Sequence, residues 1–275
     1  MVILNELFIN VFAALLFFAL GVHFCISRYF KAPNQAFFAW ERLAIASALL
    51  IQGVGLALLI FPDGKTMHFS VGVALAIILW LAVFIYWLES FSARMEGLQP
   101  IILLLAAACA LAPILMPVRY VVSYAHLPSF YLHFFASILA YSLLTLASIH
   151  AIFMGVAEHA LHRRVFMRHL SYLPPLLAME KTLFHMIYAG FALLCVAVLT
   201  GVFFAEEIFG KAAKLDHKTI FAMISWCTFA ILIFGRLRWG WRGRRALKWT
   251  LWGFLFLLLA YIGSRFALEI LLKRI

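Results

Sequence analysis

His133 and His217 each stand at the head of a long apolar segment, and His68 stands at the head of another. Histidine binds metals through whichever neutral ring nitrogen carries the lone pair. Two such imidazoles on one rim of a helix bundle supply the pair of axial ligands that a haem iron takes. Each residue also has a plainer reading as an interfacial polar group at the end of a span. His133 and His217 stand out because both fall on the same side of a membrane once the segments are oriented. His68 shares their depth and is the alternative second ligand.

The segments that must position these side chains follow from composition. Of 275 residues, 67% are hydrophobic and 12% are charged. Runs that approach or exceed the ~20 apolar residues needed to cross a ~30 Å hydrocarbon core recur along the chain. The expected spans are roughly 3–26, 43–61, 70–90, 99–117, 129–157, 183–205, 219–235 and 248–272. All should be helices, because a backbone inside lipid must satisfy its own hydrogen bonds. The expected fold is therefore an all-α polytopic membrane protein, a bundle of about eight transmembrane helices forming a single domain over residues 1–275. The first run follows only Met1 and Val2, with no basic flank and no cleavage site, and reads as a retained span.

Orientation follows from Lys and Arg. With the amino terminus outside, the inner side holds Arg28, Lys31, Arg42, Arg94, Arg163, Arg164, Arg168 and Lys181. The cluster Arg236, Arg238, Arg242, Arg244, Arg245 and Lys248 joins them, fourteen in all. The outer side holds Lys65, Arg119, Lys211, Lys214, Lys218, Lys273 and Arg274, which is seven. The ratio favours both termini outside. The same bias accounts for the net charge of +11 without a nucleic-acid partner. The basic GRLRWGWRGRRALK stretch suits anionic lipid headgroups or a membrane or cytosolic protein partner.

Along the fifth span His133, Ser137, Tyr141, Thr145 and Ser148 recur at helical spacing, a polar stripe that should face protein or a cavity. His217, Ser225 and Thr228 repeat the pattern more weakly, and Ser and Thr also serve as ordinary packing residues in membranes. Trp226 and Phe221 could wall a porphyrin. Arg265, in AYIGSRF of the last span, is the candidate partner for a haem propionate, with Lys218 and Arg119 as alternates; snorkelling to headgroups is its plainer role. Cys25, Cys109, Cys195 and Cys227 lack CxxC spacing and read as buried free thiols, and with no CxxCH the chain is not itself a c-type cytochrome. Any haem would be b-type and non-covalent. His159 and His162 form an i, i+3 pair just past an inner helix end, which reads as solvated loop more readily than as a metal site.

Four stretches carry a family resemblance: LHFFASILAYSLLTLASIHAI (132–152), LPPLLAMEKTLFHMIYAGFALL (173–194), LDHKTIFAMISWCTFAILIFGR (215–236) and GWRGRRALKWTLWGFLFLLLAYIGSRF (240–266). Over 129–266 the chain resembles the haem-handling integral membrane proteins of cytochrome c assembly, within them the HemX/YpjD-like branch. The resemblance implies a bacterial inner-membrane protein in which His133, opening its helix, inherits a haem-ligand role by position. The family's companion histidine after the last span has no counterpart in EILLKRI, and GKAAKLDHKT stands where the tryptophan-rich haem-binding stretch would be. That leaves His133 with His217, as in the HemX-like branch, and implies a haem held more than one delivered.

The expectation is a haem-binding, non-enzymatic membrane protein of cytochrome assembly or haem homeostasis. No nucleophile and base stand at catalytic spacing, and no glycine loop cradles a phosphate. Two other classes stay open: a haem-free accessory or regulator acting through its basic loops, and a small-solute transporter. Against the last, no internal repeat and no mid-span carboxylate is visible.

Overall fold

The structure, a computed structural model, describes residues 2–31, 38–91, 97–116, 120–122, 127–162, 175–204 and 217–263. Every long element among them is helical: α1 (Val2–Cys25, continued by a π-helical turn Ile26–Lys31), α2 (Ala39–Ile60), α3 (Val71–Glu89), α4 (Gln99–Ala110) and α5 (Ala112–Leu115). There follow α6 (Pro128–His162), α7 (Leu176–Phe203), α8 (His217–Trp239) and α9 (Gly243–Leu258, continued by a π-helical turn Leu259–Gly263). Among the described residues six helices are long and apolar enough to cross a membrane: Phe8–Arg28, α2, α3, Pro128–Ala160, α7 and α8. The chain is an all-α polytopic membrane protein.

Several boundaries differ from expectation for local reasons. The expected fourth span is a shorter apolar helix, Gln99–Leu115, interrupted between α4 and α5. Pro113 cannot donate to the helical ladder, so the break falls where the sequence withdraws an N–H. α6 runs on to His162, so Glu158 and His159 lie on the helix and not in a loop beyond it. α7 starts early, at Leu176, because the Pro175 carbonyl accepts the Ala178 and Met179 N–H groups at 2.8 and 3.1 Å. In place of the eighth span, α9 begins at Gly243 and is described to Gly263.

The chain forms two compact units, Met1–Arg119 with Ile152–Lys181, and Tyr120–Ala151 with Thr182–Ile275. In the first, α1 packs on α2 and α4, and α3 packs on α2, α4 and α5. A methyl at Gly72 would stand 2.6 Å from the Ala112 carbonyl oxygen, so only glycine lets the two backbones meet there. Polar groups of this unit pair with each other, since hydrocarbon offers no alternative. Gln52 Nε2 donates to Asn10 Oδ1 at 3.3 Å, both side chains buried. Arg28, read from the sequence as a loop charge, is instead buried, its Nη2 donating to Glu41 Oε2 at 2.8 Å. Glu41 also accepts the Phe38 N–H at 3.0 Å and pairs with His23 Nε2 at 3.1 Å.

In the second unit α8 packs on α9. Ser225 Oγ, fully buried, donates to the Gly253 carbonyl at 2.8 Å. Where α9 widens into its π-helical turn, the Leu257 carbonyl accepts the Tyr141 hydroxyl of α6 at 2.7 Å.

Candidate functional site

His133 lies one turn into α6, half-buried against the carboxyl-terminal part of α7. Its Nδ1 stands 3.0 Å from the Ala197 carbonyl oxygen and 3.2 Å from Thr200 Oγ1. A carbonyl oxygen only accepts, so Nδ1 carries the proton and donates, and the ring lone pair resides on Nε2. Thr200 is compatible with this, because its hydroxyl donates backwards to the Val196 carbonyl at 2.7 Å and keeps a lone pair for Nδ1–H. Gly201 completes the setting: a methyl there would stand 3.0 Å from His133 Cε1 and 3.4 Å from Nδ1. The ring is thus fixed in tautomer by α7 and admitted by a missing side chain.

The rest of the stripe descends into protein. Tyr141 reaches Leu257 and meets the Tyr261 ring edge-on at 6.5 Å. Thr145 and Ser148 are buried. The stripe therefore ties α6 to α7 at its top and to α9 below.

The partners of α8 fix its direction. The Arg236 guanidinium lies over the Phe184 ring at 4.4 Å, Phe191 stacks on Trp226 at 6.1 Å, and Trp226 Nε1 donates to Cys195 Sγ at 3.1 Å. Low numbers on α7 meet high numbers on α8, so the two run antiparallel. From Trp226 to His217 is about 13 Å of helix, and from Cys195 to Thr200 about 7 Å, at ~1.5 Å per residue. His217, the exposed first residue of α8, consequently lies at the same end of this unit as His133. Among the described residues no hydrogen bond or ring contact joins the two histidines.

Other residues singled out from the sequence fall as follows. Trp226 and Phe221 are engaged in helix packing, the latter stacked on Phe256 at 6.5 Å. His68 sits within the first unit, its Nε2 3.1 Å from Thr66 Oγ1. Arg265 and Arg119 lie outside the described residues, as does the side chain of His162. The four cysteines are free, but Cys227 is exposed and the other three only part-buried, which corrects their reading as buried. No group of three or more metal-ligating side chains occurs among the described residues. Thr200 and Gly201 were missed; the sequence sign available was the small-residue pair closing the apolar run AVLTG.

The sequence profile of the family described as Cytochrome C assembly protein matches residues 8–272. The Inner membrane protein YpjD of Escherichia coli is 27% identical over 241 residues, 84% of this chain and 89% of that one. The Cytochrome c biogenesis protein CcsA of Prochlorococcus marinus is 36% identical over 80 residues, 29% of this chain and 26% of its own length. CcsA of Heterosigma akashiwo is 32% identical over 91 residues, 33% and 28% of the two chains. With a profile that spans the described helices from α1 to α9, the chain belongs to the cytochrome c assembly family.

Proposed function

We propose that this protein holds a b-type, non-covalent haem near the outer face of a bacterial inner membrane, with His133 and His217 as axial ligands, and serves cytochrome c assembly or haem homeostasis. It works without catalysing a reaction of its own. The observation that carries the reading is the hydrogen bond from His133 Nδ1 to the Ala197 carbonyl. A ligating histidine characteristically donates its second ring N–H to such an acceptor, which raises the basicity of the coordinating nitrogen and holds the ring plane. Bound there, haem would supply an iron centre for electron storage or a group to be handed on. The chain's part is to offer Nε2 of His133 from a fixed ring and a second imidazole from the same helix ends. Arg265 is the proposed propionate partner, through bidentate hydrogen bonds.

The membership of the family and the YpjD relative support the inner-membrane setting. The proposed topology has eight spans with both termini outside, counting Gln99–Leu115 and the α9 segment as crossings. Optical spectra of detergent-purified protein, oxidised and reduced, with and without added haemin, test the reading beside His133→Ala and His217→Ala. A low-spin spectrum weakened by either substitution is expected. No haem band in the wild type after haemin addition would overturn it and favour a haem-free accessory protein.

A further inference from the structure

We propose that the turn between α8 and α9 is a binding site for anionic phospholipid headgroups. Arg238, Arg242, Arg244, Arg245 and Lys248 are exposed or half-exposed within eleven residues of chain, and the segment 217–263 contains no Asp or Glu. Beside them Phe234, Leu237 and Trp239 are exposed at 57, 74 and 62%. Cations next to exposed apolar and indole side chains, at the end of a helix long enough to cross a membrane, match the boundary where phosphates meet acyl chains.

The turn is also built rather than loose. Gly240, at φ +63°, ends α8 by donating its N–H to the Arg236 carbonyl at 3.1 Å, a left-handed cap that other residues adopt at a cost. Trp241 stacks on Trp239 at 5.7 Å and packs against Trp249 at 5.5 Å. Arg236 is spent internally, donating to the Trp241 carbonyl at 3.1 Å from its place over Phe184. The exposed cations are thereby gathered at the mouth of α9, where the helix dipole presents its positive end. A phosphodiester meets that positive charge, and acyl chains cover the aromatics. An acidic protein would meet the charges but leave the apolar side chains beside lipid, so phospholipid is the better match.

The test is native mass spectrometry of the delipidated full-length protein offered phosphatidylglycerol or phosphatidylcholine with identical chains. The wild type should retain phosphatidylglycerol selectively. Arg242→Gln/Arg244→Gln/Arg245→Gln should weaken retention about a hundredfold, the loss expected for three juxtamembrane charges, whereas the all-Lys counterpart should keep most of it. Lys65→Gln, in the loop after α2, should change nothing. Circular dichroism verifies that each variant is folded. Equal retention of both lipids, an unchanged triple Gln variant, or an equal loss in Lys65→Gln overturns the proposal. So does capture of a polyaspartate peptide by the turn while phosphatidylglycerol retention stays indifferent to the triple substitution.

Discussion

A methyl at position 201 would stand 3.0 Å from Cε1 of His133, closer than a ring carbon accepts without moving. The ring cannot slide along α7 and keep its bond to Ala197, so it must tilt, and Nε2 turns with it. Gly201→Ala should therefore weaken haemin binding about tenfold, and Gly201→Val about a hundredfold, the range seen when outer-shell support of a metal ligand is lost. Soret titration measures this, and a Gly201→Val protein that binds haemin like the wild type would refute the role of the close packing. Thr200→Val should do much less. The Ala197 carbonyl still takes the Nδ1 proton, so a loss of only about twofold to fivefold is expected, in line with ~0.6 kcal/mol for a side-chain hydrogen bond in a membrane. The order Gly201→Val, Gly201→Ala, Thr200→Val separates a steric seat from an electrostatic one.

At the scale of elements, polar contacts staple apolar helices whose surfaces otherwise resemble the lipid around them. Glu41 joins the start of α2 to the end of α1 through Arg28 and His23, all within the first unit. Glu41→Gln leaves a buried guanidinium facing a neutral amide, which costs on the order of 3 kcal/mol, whereas Arg28→Leu with Glu41→Leu removes both charges and should recover most of it. Thermal unfolding in detergent reads the difference; equal melting of the single and double variants would show that a stranded buried charge is not the source of the loss. Tyr141→Phe should cost less, about 1 kcal/mol, through the lost bond to the Leu257 carbonyl. Apolar run length made α1 and α3 legible almost to the residue and α8 to within four residues, and polar spacing made the His133–Ser148 stripe legible. Arg28 and Glu41 were not, because a charge near the end of a run looks the same whether it meets water or a partner on the next helix. Nor was the choice of Thr200 and Gly201 as neighbours of His133, since periodicity says which face a residue occupies and not which helix comes to meet it. The α4–α5 break could have been anticipated at Pro113, and so could the extension of α6 to His162 through the helix-former-rich AEHALH, which apolar run length alone leaves out.

For the whole molecule, the sidedness of the proposed haem site depends on how many helices cross. Among the described residues six are long enough on their own, and with α9 and its π-helical turn, Gly243–Gly263, counted as a crossing the parity rests on Gln99–Leu115. Its 17 residues span about 25 Å at ~1.5 Å each, short of the ~30 Å hydrocarbon core. Such a segment still crosses if the bilayer thins or if protein covers its irregular end, and α5 is covered, with the Ala112 carbonyl lying against Gly72 of α3. Eight crossings then put both termini on one side, and the fourteen-to-seven distribution of Lys and Arg puts that side outside. Fusions of alkaline phosphatase and of a fluorescent protein to each terminus in turn read this directly, the first active only outside and the second fluorescent only within the cytoplasm. Phosphatase activity at both ends is the expected result, and it places the His133 end of α6 and the His217 end of α8 on the outer face. A fluorescent carboxyl terminus with an active amino-terminal phosphatase would mean seven crossings and a Gln99–Leu115 helix that enters and leaves by the same leaflet. The His133 and His217 ends would then both face the cytoplasm, since they follow that segment in the chain, and the haem would have to be held on the side where it is made.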